Sequence, residues 1–149
     1  MQARELEDLM RDIWEGMLLP EEPLEGGAPR EEYDFASCVD IVGAWNGVVS
    51  VECDEELARA FASAMFACSP RELVEGDLVD ALREVANLIG GNVKGVLTAG
   101  CRLSLPRATR GSEALLLDGG QALVCESSLW SSGRGLRVRV LAEPGQGSR

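Results

Sequence analysis

The chain has 149 residues, 46% apolar and 26% charged, with 25 acidic against 14 basic side chains and a formal net charge of −11. That length suits a single domain spanning 1-149, and no run approaches the roughly 20 apolar residues of a membrane-spanning helix. The acidic balance, with Lys and Arg scattered, argues against nucleic acid or an anionic membrane as partner. No histidine is present, which removes Ser-His-Asp and Cys-His catalysis. Cys38, Cys53, Cys68, Cys101 and Cys125 form no CxxC pair, so zinc and redox motifs lack their ligands. They read as reduced core thiols. Met1 to Asp8 is charged and acidic, unlike a targeting signal, and a cytoplasmic protein is expected.

Leu6, Leu9, Met10, Ile13, Trp14, Met17 and Leu18 fall on one stripe of an amphipathic helix over 1-20, stopped by Pro20. An acidic loop rich in Pro and Gly is expected over 21-32. Phe35 to Trp45 and Val48 to Asp54 read as strands joined at Asn46-Gly47, a strong hairpin signal, with Gly43 and Trp45 leaving the register open by a residue. Asp54 then stands as an N-cap for a helix that buries Leu57, Ala58, Phe61, Ala62, Met65 and Phe66. Ser69-Pro70 opens a further helical region reaching about Leu97, with a break at Gly76. Strands are expected at Cys101 to Leu105, ended by Pro106, and at Glu113 to Leu117, Gln121 to Leu129 and Gly135 to Leu141. In the last of these Leu136, Val138 and Val140 alternate with Arg137 and Arg139. Glu143 to Arg149 reads as a frayed tail over 143-149. The fold class is α+β, an antiparallel sheet of about six strands packed against a long central helix and further helices.

The long helix carries the most informative pattern. Val79, Leu82, Val85, Ala86, Ile89, Val93, Val96 and Leu97 share one broad arc, which should pack on the sheet. Asp80, Glu84 and Asn87, at i, i+4 and i+7, align within roughly 60° on the other side, and Gly91 and Gly95 continue their row. A glycine inside a helix costs about 1 kcal/mol relative to alanine. Two of them flatten this face, which lets another backbone approach. Spacing alone favours the plain reading, in which the glycines pack inside the fold and Glu84 and Asn87 are ordinary solvated residues.

Asp80-x3-Glu84-x2-Asn87, followed by Leu88-Ile89-Gly90-Gly91-Asn92 and later by Pro106, resembles the signature of the CheC/CheX/FliY chemotaxis phosphatases. The likeness extends in order and length over roughly Glu5 to Leu141. Only one copy of the motif is present, which points to the CheX branch. Eighteen residues separate Asn87 from Pro106, a few fewer than the family pattern shows.

The resemblance implies a phosphatase that hydrolyses the aspartyl phosphate of a CheY-like response regulator. Glu84 would pair with the receiver's lysine, and Asn87 would orient the attacking water. Asp80, Gly91 and Pro106 would support them. It implies no cofactor of the chain's own, with Mg²⁺ in the partner's receiver domain, and a homodimer built through the strands from Gln121 to Leu141. The alternative is a non-catalytic CheX-like module that docks on a signalling partner or dimerises without accelerating hydrolysis.

Overall fold

In a computed structural model, which describes residues 1–97 and 99–146, side-chain alternation along the strands decides which way the sheet faces. Seven strands, all antiparallel, make it up: β1 (Glu25–Gly26), β2 (Phe35–Gly43), β3 (Gly47–Cys53), β4 (Cys101–Leu103), β5 (Arg107–Arg110), β6 (Ala122–Ser131) and β7 (Arg134–Ala142). Their order is β1-β6-β7-β3-β2-β4, and β5 pairs with β2 beyond β4. Phe35, Val39 and Ile41, Val49 and Val51, and Leu136, Val138 and Val140 point to one face. There they share a single buried core with α1 (Ala3–Ile13), α2 (Glu55–Phe66) and α3 (Glu75–Leu97). The fold is α+β.

The opposite face is built from ion pairs. The buried Glu52 accepts from Arg137 Nε at 3.1 Å. Arg139 bridges Glu113, at 2.5 Å, and Glu126, at 3.0 Å. Arg107 grips both carboxylate oxygens of Asp40, at 3.1 and 3.2 Å. Burial on this face pushes the Cys38 thiol up to about 11, and the fully buried Cys53 on the helical side is raised further. All five cysteines are free; Cys38, Cys53 and Cys125 are buried and Cys68 and Cys101 are half-buried.

Several elements depart from the sequence expectation. The first helix ends at Ile13 and continues as a π-helix over Trp14–Leu18. Its wider turn rotates Met17 out of the predicted stripe and into solvent. The acidic loop contains β1, which pairs Glu25 and Gly26 with Trp130 and Leu129. Side-chain donors hold this segment down, from Arg11 to the Leu24 carbonyl at 2.7 Å and from Trp14 to that of Glu22 at 2.9 Å. The expected strand at Glu113 to Leu117 is a 3-10 turn, Glu113–Leu115. Glu113 is bonded down onto Ser50 and Arg139, so Leu116 and Leu117 cover Cys38, Val48 and Leu141 instead of joining a ladder. β5 was not anticipated at all.

Asn46-Gly47 does not form the two-residue turn. Pairing of β2 with β3 stops at Ile41 and Gly47, while Val42 and Gly43 pair with β4. The Asn46 carboxamide bonds both backbone groups of Gly43, each at 3.1 Å. The two-residue hairpin is Ser132-Gly133 instead, with φ of 51° and 78°. Asp54 occupies the N-cap position of α2 without capping it. The Glu55 amide donates to Asp34 at 2.7 Å, and the Asp54 carboxylate is engaged by Gly135 N, at 2.6 Å, and Arg30. Met65 and Phe66, expected in the core, are exposed where α2 ends. Glu143 and Gln146, expected in the tail, are bonded to Asn46; residues 147–149 lie outside the described residues.

Gly90 shows how closely α3 sits on the sheet. A Cβ there would lie 2.3 Å from Val39 Cγ1, whereas one at Gly95 would meet nothing within 4 Å. Gly90→Ala is therefore expected to destabilise the protein by about 1–2 kcal/mol. That is the overpacking penalty less the helix-propensity gain. Gly95→Ala is expected to stabilise it by up to about 1 kcal/mol. Urea unfolding of the two variants checks the opposite signs.

Candidate functional site

The helix α3 forms because Leu78, Leu82, Val85, Ile89 and Val93 recur at helical spacing and bury one side. The break before it falls at Leu73-Val74, after a 3-10 turn at Pro70–Glu72, and not at Gly76, which lies within the first turn. Asp77 reaches back to accept the Val74 amide at 2.9 Å, satisfying a donor at the helix start. Val96, placed on the packing arc by periodicity, is half exposed, because the last turn projects beyond the core.

Asp80, Glu84 and Asn87 are all exposed on the solvent side of α3. They differ in what engages them. Asp80 accepts from Arg83 at 2.9 Å within the helix surface. Among the described residues, neither the Glu84 carboxylate nor the Asn87 carboxamide has a hydrogen bond or ion pair, so both are presented to solvent. Asn92, five residues on, is different again: its amide folds back onto the Leu88 carbonyl at 2.8 Å.

The glycines sort in the same way. Gly90 is required by contact with β2. Gly95 faces open space, and a Cβ on Gly91 would only touch Leu103 Cδ1 at 3.9 Å, an ordinary contact. Among the described residues, packing demands neither Gly91 nor Gly95, so the cost of placing them in a helix is not offset by a close contact there.

The broken edge of the sheet runs beside this column. At one level the Leu103 side chain meets the positions of Gly90 and Gly91, between which the Asn87 column passes one turn later. At another, Arg110 bonds Glu75, the first residue of α3, at 2.6 Å. From Gly90 to Glu75 the helix descends about 23 Å at 1.5 Å per residue. From Leu103 to Arg110 the edge chain runs opposite Ile41 to Phe35 of β2, about 20 Å at 3.3 Å per residue. The edge chain is thus antiparallel to α3 and of similar length, and the bulge at Leu105 comes level with Asn87, with Arg107 level with Glu84.

Between the two pinned levels β4 and β5 are separated by a bulge. Three residues, Ser104 to Pro106, stand opposite two of β2, Val39 and Asp40. Pro106 has no amide hydrogen for the ladder, and within the bulge Ser104 Oγ accepts the Asp40 amide at 2.9 Å. Among the described residues no group of three or more His, Cys, Asp or Glu side chains is arranged to hold a metal ion.

Residues 35–126, which run from β2 through α2 and α3 into β6, match the family model described as chemotaxis phosphatase CheX. The chain belongs to the CheX family. Solved CheX structures share its fold. The protein from Vibrio vulnificus superposes with a TM-score of 0.72 at 18% identity, over 95% of each chain. The CheX from Desulfovibrio desulfuricans gives 0.68 at 18% identity, over 95% of this chain and 98% of that one. A CheX from Borrelia burgdorferi, solved as a CheX-CheY-BeF3-Mg²⁺ complex, gives 0.68 at 17% identity over 94% and 96% of the two chains. No curated protein gives a significant sequence match. Within this CheX fold, α3 is the element that bears the motif, and no helix among the described residues is long and apolar enough to cross a membrane.

Proposed function

We propose that this CheX family member hydrolyses the aspartyl phosphate of a CheY-like receiver domain. Glu84 pairs with a receiver lysine, and Asn87 enters the receiver's site and orients a water. The water adds to phosphorus as the bond to the aspartyl oxygen breaks, releasing phosphate and the free carboxylate. An amide suits this task because it donates and accepts hydrogen bonds at once without acting as a base. Phosphoryl transfer depends mainly on positioning and charge stabilisation, so one fixed side chain contributes much. Mg²⁺ belongs to the receiver's own site in this reading.

The observation that carries the proposal is the pair itself. Among the described residues, a carboxylate and a carboxamide less than two turns apart stand exposed and unengaged on α3, and packing does not require the glycines at 91 and 95. Phosphate release from a phosphorylated CheY-like receiver tests it. Glu84→Ala is expected to weaken receiver binding by about tenfold, the loss of one charge-assisted contact. Binding without any acceleration of phosphate loss would leave a docking module and remove the phosphatase.

The homodimer belongs to the same proposal. The exposed Leu123 lines, with Leu117 and Leu141, a groove of about 490 Å³ beside β6 and β7, and offers apolar surface for a second copy. Sedimentation is expected to give a dimer that Leu123→Arg dissociates; a monomeric parent would refute it.

A further inference from the structure

A single exposed leucine ordinarily calls for no explanation. Leu105 differs from the others by where it stands and by how it is held. With 86% of its surface exposed, it sits at the tip of the β4–β5 bulge. The two pinned levels of the edge chain bring this bulge abreast of Asn87, on the side of α3 to which the Asn87 column turns. Among the described residues little covers its side chain.

Its backbone is nonetheless fixed from both sides by one residue of β2. The Asp40 amide donates to Ser104 Oγ at 2.9 Å, and the Ser104 amide donates to the Asp40 carbonyl at 3.0 Å. The Asp40 carboxylate holds Arg107 through two bonds, at 3.1 and 3.2 Å. Pro106 between them locks its own φ. Leu105 is therefore an apolar side chain displayed on a rigid support, beside two unengaged polar groups. A partner that buries it loses little conformational entropy in doing so.

We propose that Leu105 is the apolar anchor of receiver docking, packing against the receiver surface next to the site that Asn87 enters. The inference rests on the docking role of the α3 column. It divides the labour across the face: Glu84 supplies charge, Leu105 supplies desolvated contact area, and Asn87 supplies the water-orienting group. Leu105 is a docking residue and touches no reacting atom.

The test uses the full chain and a CheY-like receiver domain loaded with beryllofluoride and Mg²⁺, together with turnover of the phosphorylated receiver. Leu105→Ala is expected to weaken the Kd about tenfold, the scale of a buried leucine's lost contact, with kcat at saturating receiver within about twofold. Leu105→Met should restore most of the affinity, and the thermal midpoint of both variants should match the parent, since the side chain packs on little of its own protein. An unchanged Kd in Leu105→Ala, with Asn87→Ala inactive, overturns the anchor and leaves the phosphatase reading standing. A fall in kcat at unchanged Kd also overturns it. A parent that neither binds the loaded receiver nor accelerates phosphate loss removes both readings together.

Discussion

Asn87→Ala should lower turnover of a phosphorylated CheY-like receiver by at least about 100-fold, while its Kd for the beryllofluoride-loaded receiver stays within about threefold. The split follows from where the side chain stands. Asn87 is exposed and has no hydrogen bond among the described residues, so its removal disturbs little internal structure. Alanine is also the better helix former, and the thermal midpoint should hold or rise slightly. No neighbour on the column can substitute. Asp80 is engaged by Arg83, and Glu84 lies almost a turn earlier with a charge that a phosphoryl group repels.

Two further substitutions sharpen the expectation. Asn87→Asp keeps the shape but sets an anion beside the phosphoryl oxygens and removes the donor, so it should be nearly as inactive. Asn87→Gln keeps the amide but moves it by one methylene, about 1.5 Å, and a displacement of that order costs about 100-fold where positioning is the catalytic effect. Single-turnover phosphate release measures all three. Parental turnover in Asn87→Ala would refute the water-orienting role outright.

Arg137→Ala should cost about 3–5 kcal/mol of stability, the largest loss expected from any single charged residue here. The Glu52 side chain is only 4% exposed and its partner Arg137 only 13%. Arg137 bonds Glu52 through both Nε and Nη2, and its guanidinium lies 5.1 Å from the centroid of the Tyr33 ring. Removing the cation leaves the buried carboxylate near the end of β3 without its partner, and that largely desolvated charge is the source of the cost. For a chain of this size the midpoint of thermal unfolding should fall by on the order of 10 °C. Arg83→Ala provides the contrast. Its pair with Asp80 is exposed on both sides and is worth at most about 1 kcal/mol. Urea titration of the two variants gives the comparison, and equal losses would contradict the assignment of burial as the cause.

Local pattern was sufficient wherever burial follows a simple period. The strand at Leu136, Val138 and Val140 alternates with Arg137 and Arg139 both in the chain and in space. The buried side of α3 follows the 3.6-residue period from Leu82 to Val93, and the exposed alignment of Asp80, Glu84 and Asn87 is the remainder of the same geometry. The pattern failed where a distant group claimed a residue. Asp54 has the chemistry of a cap, but Gly135 and Arg30 take its carboxylate, and Asp34, twenty-one positions before Glu55, caps α2 in its stead. Leu115 to Leu117 has the composition of a strand, but Glu113 is bound to Ser50 and Arg139 across the sheet.

The amino-acid sequence by itself determined that the chain would be α+β and that one helix would present Glu84 and Asn87 outward, because helical period and residue order are properties of the chain alone. Tertiary structure decided what surrounds them. Only the folded protein distinguishes Gly90, pressed on Val39, from Gly95, which faces nothing, and only it brings the Leu105-Pro106 bulge level with Asn87. The physical reason is that period fixes direction about a single axis, whereas proximity between elements depends on contacts such as Leu103 with Gly90 and Arg110 with Glu75, which no local pattern encodes.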